Sequence, residues 1–242
     1  MPAPIRHIPD AGNPMNCTRR LVLPALFCVT TAATGCLNEA LIKQPELFVI
    51  PGLPVGWSGT DSSAGVGITE TDRHQGTTAA YLSTAFQSGN STIFLRQEIR
   101  ADDYRGKRLR LSAWVKPRNI SAVSNSGIWM RVDGPGLTLS FDDMSRRPVF
   151  GYGNWRQISV VLDIPESAIG IALGALFFAS NTLLVDDMRL EVVGTDVATT
   201  NVLGAPTASG RDSAATVAAY AARANAPVNM DFEAPRTSTS VR

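Results

Sequence analysis

The sequence predicts an all-β fold, an antiparallel sandwich or a barrel, on three observations. The first is residues 108–116, RLRLSAWVK, where Leu109, Leu111, Ala113 and Val115 alternate with Arg108, Arg110, Ser112, Trp114 and Lys116. Period-two alternation of this length marks a strand with one face buried and one face wet. The second is a series of short apolar runs at 79–85, 92–100, 109–116, 127–133, 137–141, 157–164, 169–179 and 183–193, separated by Gly, Pro, Asn and Asp clusters. The third is that no long amphipathic helical pattern interrupts these runs, which argues against βαβ units and a parallel sheet.

Taken in order, the chain opens on a targeting segment. Met15 to Arg20 reads as a basic n-region and Leu21 to Ala33 as a short apolar h-region, followed by Thr34, Gly35 and Cys36. That pattern is a secretory signal, too short to span a bilayer comfortably. Pro24 and the paired arginines argue against a buried helix. The ending Ala33-Thr34-Gly35-Cys36 resembles the lipobox of bacterial lipoproteins, which makes Cys36 the expected lipidation site and 1–35 the signal peptide. Residues 1–14 hold four prolines and Asp10 and make a poor leader, so Met15 is the expected start. Leu37 rather than Asp follows Cys36, which by Gram-negative sorting rules points to the outer membrane. All three cysteines, Cys17, Cys28 and Cys36, lie in this segment, so an exported chain would rest on its core and not on disulfides.

Residues 36–46 form a lipidated linker in this reading. Residues 47–57, LFVIPGLPVGW, suit an edge strand leading into a turn, and a Gly/Ser/Thr-rich loop follows. Ile158, Val160, Leu162 and Ile164 repeat the half-buried alternation. Residues 169–179, IGIALGALFFA, are apolar or small on both faces, so that strand is expected to be covered on both sides. Beyond Gly194 the composition turns to Ala, Thr, Asn and Pro, and 195–242 reads as a mostly flexible tail. Within it, 213–225 could form a short helix capped by Asp212 or Ser213.

Several pieces align with a known architecture: Gly56-Trp57, His74-Gln75-Gly76 before a strand, Tyr104-Arg105-Gly106 leading into LRLSAWVK, Trp155 opening the next long strand, and LLVDDMRL at 183–190. Together they resemble the galactose-binding-like jelly roll of many carbohydrate-binding modules, over about residues 47–193. They are also similar to a domain attached to some bacterial regulators of the AraC type, although no helix-turn-helix partner is apparent, so a regulatory role does not carry over. The resemblance makes 47–194 an antiparallel β-sandwich jelly-roll domain. It also implies a structural calcium between an acidic first-strand motif and an Asp of the last strand. Asp186 matches the latter, on the face of Leu184, Met188 and Leu190, where an unpaired carboxylate is costly. The first-strand motif is missing, and Asn229-Met230-Asp231-Phe232-Glu233 stands at the far end of the chain instead. Asp186 and Glu233 are therefore the metal candidates; otherwise Asp186 accepts backbone N–H bonds or pairs with an arginine.

Trp114 and Trp129 fall on the polar faces of their strands, beside Arg110 and Lys116 on one and Arg131 and Asp133 on the other. Aromatic rings flanked by polar groups are the inventory for stacking on sugars; the alternative is that each ring packs beneath a loop. The segment 133–155 is rich in turn residues, acids, arginines and aromatics, and Asp142, Asp143, Arg146, Arg147 and Tyr152 are its recognition candidates. Enzymatic chemistry is hard to place. Outside the leader His74 is the sole histidine and no thiol is spare, which excludes His/Cys zinc sites and leaves a triad only through His74. A carboxylate-pair hydrolase would need just two acids, but no motif picks out a pair. Gly65-Val66-Gly67 lacks a phosphate-loop context. A net charge of +1 gives no sign of a nucleic-acid partner. The sequence thus leads to a non-catalytic envelope lipoprotein that binds a glycan. The alternative is a structural or protein-interaction module without a sugar site.

Overall fold

The computed structural model of the protein describes residues 46–60, 65–84, 92–122, 125–178 and 181–234. The leader and Cys36 lie outside the described residues. Two six-stranded sheets, antiparallel throughout, face each other across a single core.

The first sheet runs in the order β1-β3-β4-β11-β6-β9. Its strands are β1 (Val49–Pro51), β3 (Val66–Thr69), β4 (Ala79–Ser83), β6 (Arg108–Arg118), β9 (Arg156–Asp163) and β11 (Thr182–Val193). The second sheet runs β12-β8-β7-β10-β5-β2. It comprises β2 (Ser58–Gly59), β5 (Ile93–Arg100), β7 (Asn125–Gly134), β8 (Leu137–Asp142), β10 (Gly170–Phe178) and β12 (Thr207–Ala208).

The alternation in β6 does what its sequence requires. Leu109, Leu111, Ala113 and Val115 are in the core, while Arg108, Arg110, Trp114 and Lys116 face outward and are half-buried. From the other sheet, Ile93, Leu95 and Ile99 of β5, Ile128, Met130 and Val132 of β7, and Ile171, Leu173, Ala175 and Phe177 of β10 complete the core. Removing this much apolar surface from water is the main force closing the two sheets.

Strand β10 departs from its expected cover on both faces. The Tyr220 ring lies over Gly170, where a β-carbon would come within 2.1 Å of it, but at the other end Phe178 is exposed. The outer face of β10 is roofed at one end and open at the other.

The chain after Gly194, expected as a mostly flexible tail, runs back over the sandwich. Thr200 donates its N–H to the Val161 carbonyl, Val202 donates to Phe141, and β12 pairs with β8. Helix α1 (Ser213–Ala221) is shorter than the expected 213–225 and is capped by Asp212, whose side chain accepts the Ala215 N–H at 2.7 Å. Further on, Val228 and the Gln97 side chain exchange two hydrogen bonds, and Phe232 enters the core at 1% exposure. A bulge in β11 between Asp186 and Arg189 takes the Met188 N–H out of the ladder, and the Met230 carbonyl accepts it at 2.9 Å. Two buried rings and a bulge-filling carbonyl thus hold a segment whose composition resembles that of a linker.

Candidate ligand-binding face

The outer face of the second sheet carries a groove of about 250 Å³, lined by Phe94, Arg96, Trp129, Arg131, Phe141, Asp143 and Leu176. Strand register lays these residues in rows. Arg96, Gly174 and Trp129 lie side by side on β5, β10 and β7. The neighbouring row holds Glu98, Ala172, Arg131 and Phe141, and the row on the other side holds Phe94 and Leu176. Gly174, between Arg96 and Trp129, lets the β5 backbone approach closely. An added β-carbon there would meet the Leu95 carbonyl oxygen at 1.9 Å.

Trp129 lies along the groove at 8% exposure, and its Nε1–H has no acceptor. Arg96 stands 5.8 Å over the Phe94 ring, with its Nε–H buried and unpartnered. Arg131 is anchored by its Nε to Asp133 at 3.0 Å. At the opposite edge, burial works against the ionised form of Asp143. Hydrogen bonds from Ser145 and Asn125 outweigh it and hold the carboxyl below its usual range, so Asp143 is an anion at neutral pH. The face therefore offers apolar walls, two guanidiniums and one carboxylate.

Trp114 belongs to the other outer surface, since β6 lies in the first sheet and β7 in the second. His74 stacks on Trp114 with ring centroids 3.9 Å apart, and meets Trp155 edge-on at 6.0 Å. The tryptophan proposed as a platform is thus already capped by an imidazole. The two tryptophans do not share a face.

The remaining candidates are dispersed. Arg110 pairs with Glu191 at 2.9 Å beside a polar depression of about 310 Å³ on the first sheet. Asp133 is 0% exposed: it pairs with Gly170 on the outward face that Tyr220 of α1 covers, and Arg131, Arg211 and the Tyr220 hydroxyl all donate to it. It holds the helix down and is not available to a ligand. Burial, then the neighbouring Asp133 charge, pushes the Tyr220 phenol well above its ordinary range. Asp142 is fully buried and clamps Arg147 through both oxygens. Tyr152 is 60% exposed in the loop before β9, outside the groove.

Asp186 and Glu233 do converge, together with Asp187 and Asp231, around a depression of about 210 Å³. Asp186 Oδ2 accepts the N–H groups of His74 and Gln75, and its Oδ1 that of Asp187. Glu233 Oε1 accepts the N–H groups of Thr77 and Thr78, while Thr77 Oγ1 donates to Oε2. Asp187 is held by Arg189. Among the described residues no group of three or more acid, His or Cys side chains is placed to hold a metal. Asp186 and Glu233 are committed to backbone N–H groups and the Thr77 hydroxyl, and Asp187 to Arg189, so the donor set does not fit calcium. Burial, only partly offset by those three N–H bonds, pushes the Asp186 carboxyl up to about 6.

Sequence reading missed Phe94, Arg96, Phe141 and Leu176. In IFLRQEIR the outward positions are Phe94, Arg96, Glu98 and Arg100, so an aromatic stands on the polar face of β5 as Trp129 does on β7. The signal that singled out Trp129 marks Phe94 equally.

No family model matches the chain. Among curated proteins, the chain is 36% identical over 139 residues to an uncharacterized HTH-type transcriptional regulator, YbfP of Bacillus subtilis strain 168, covering 57% of this chain and 46% of that protein. The chain thus spans about half the length of this relative, which is named as a regulator and not as a lipoprotein. Among solved structures, the CBM22-1 xylan-binding domain of Paenibacillus barcinonensis Xyn10C is 14% identical, with 62% of this chain and 96% of that one covered and a TM-score of 0.41. A Stig cyclase, Fisc from Fischerella sp. TAU, is 13% identical over 64% of this chain and 94% of its own, with a TM-score of 0.47. Neither likeness identifies a ligand for this chain.

Proposed function

We propose that this protein is a non-catalytic binding module that takes a saccharide on the outer face of its second sheet. The observation carrying this reading is the groove on that face, with Trp129, Phe94 and Phe141 as apolar surfaces and Arg96, Arg131 and Asp143 at its borders. Pyranose rings have apolar faces and polar rims, and a partly covered indole between charged side chains answers both. Binding without turnover is supported by the carboxylate count. Asp143 is the one acid among the described residues lining the groove, whereas glycoside hydrolysis uses two acids flanking the scissile bond.

The leader pattern ending in Cys36 supports presentation of the module at the envelope by a lipid. The HTH-type relative suggests that a module of this kind also occurs within a transcriptional regulator. Reading DNA through a helix-turn-helix needs two packed helices, and the described residues hold one α-helix of nine residues.

The test is a glycan-array screen of the full chain beside its Trp129→Ala and Trp114→Ala variants. Saturable binding lost with Trp129→Ala and kept with Trp114→Ala is expected. Binding indifferent to Trp129, or none by a folded chain, overturns the reading and leaves an envelope-interaction module. Radiolabelled palmitate on the wild type but not on Cys36→Ser tests the anchor, and no label on either refutes it.

A further inference from the structure

We propose that the saccharide taken by this groove is acidic, with a ring carboxylate seated between Arg96 and Trp129; the inference rests on the saccharide-binding reading above. Two independent features of the face point to an anion.

The first is charge. Glu98 is shared by Arg96 at 3.4 Å and Arg223 at 2.8 Å, and Asp133 is shared by Arg131 and Arg211. In each cluster two guanidiniums meet one carboxylate, and arginine does not deprotonate at any working pH. Asp143, held ionised at the far edge, offsets one of the two surplus charges and leaves the other. The whole sequence carries a net charge of only +1, so this surplus is a local feature. It borders a groove with apolar walls, where a charge is less screened than on an open surface.

The second is hydrogen-bonding capacity. The Nε–H of Arg96 and the Nε1–H of Trp129 are both buried, both without an acceptor, and both on the row that contains Gly174. Both groups are donors. The acceptor in the groove, Asp143, is already taken by Asn125 and Ser145. The lining therefore offers more free donors than acceptors, and a carboxylate, which only accepts, matches that surplus better than a hydroxyl does.

The experiment is calorimetric titration of the full chain with oligomers of galacturonate, glucuronate, mannuronate and guluronate. Each is paired with its carboxyl-reduced form, which keeps the ring and removes the charge. For at least one pair the acid form should bind about tenfold more tightly at low salt, the low end for a hydrogen bond to a charged group. Raising the salt should narrow that ratio. Arg96→Gln, with a melting temperature matching the wild type, should weaken the acid form more than the reduced form. Reduced forms that bind as well as the acids, in every pair that binds, overturn the acidic-ligand inference while leaving the saccharide reading intact. No binding of any member, or of any neutral glycan, by a folded chain overturns the saccharide reading itself.

Discussion

Replacing Phe232 by alanine removes a ring that is 1% exposed, sits 5.3 Å from the Trp57 ring and lies some forty residues beyond the last long strand. Burial of this depth puts the loss in the range for Phe→Ala in a core, about 3–5 kcal/mol. The backbone around Phe232 adds to what is at stake. Its carbonyl accepts Thr78 Oγ1 at 2.8 Å, the Asn229 carbonyl accepts Trp57 Nε1 at 2.9 Å, and Met230 fills the β11 bulge. If the segment peels away instead of leaving a cavity, those partners are exposed and the loss stays bounded by the segment's own contribution. For a domain of this size each kcal/mol shifts Tm by ~2–4 °C, so a fall of about 6–20 °C is expected. Guanidinium unfolding followed by circular dichroism measures the loss directly, with Tyr152→Ala, at a position 60% exposed, as the control. A loss below ~0.5 kcal/mol, typical of surface substitutions, would refute the placement of Phe232 in the core.

Three further outcomes follow from the same geometry. Tyr220→Phe removes one hydrogen bond to the buried Asp133 carboxylate and leaves its two arginines, so a stability loss near the low end for charged acceptors, about 1.5 kcal/mol, is expected in chemical unfolding. No loss would mean that the phenol does not hold α1. Asp186 keeps its proton to about pH 6 in the fold, against 3.8 ordinarily, so the folded chain binds more protons than the unfolded chain between those values. Its contribution therefore falls as pH rises through that window, by up to about 3 kcal/mol, and Asp186→Asn removes this slope. Parallel pH profiles of the two proteins would contradict it. Because the Asp186 and Glu233 oxygens are taken by backbone donors, neither a chelator nor millimolar calcium should move the wild-type Tm, and a rise with calcium would overturn that assignment.

The sandwich was legible because its long strands carry their own periodicity: Leu109 to Val115 and Ile158 to Ile164 name their buried faces without outside help. Residues 195–234 were not legible, because that segment is held by isolated anchors. Tyr220 and Phe232 stand in Ala-, Thr- and Pro-rich surroundings with no repeat, and their burial depends on Gly170 and Trp57, distant in sequence. The candidate site lies between these cases. Alternation placed Trp114 and Trp129 on outward faces, which is where they are. Which sheet each strand joins is a matter of long-range pairing, so the sequence could not show that the two rings face opposite ways. Asp133 was misjudged for a related reason. It does stand on the outward face, beside Gly170, but Tyr220 from a helix distant in sequence covers it there. The fold-back of Asn229–Glu233 beside Asp186 was among the readings its motif allowed, but the N–H donors that occupy both carboxylates come from the backbone at 74–78 and carry no side-chain signature.

The claim that a saccharide sits on the second sheet is tested most directly by following indole fluorescence while the full chain is titrated with its best array ligand. Wild type, Trp129→Phe and Trp114→Phe are compared. A saturable change that survives Trp114→Phe and disappears with Trp129→Phe is the predicted result. A change that survives Trp129→Phe and disappears with Trp114→Phe would move the site to the His74-capped face of the first sheet and contradict the account.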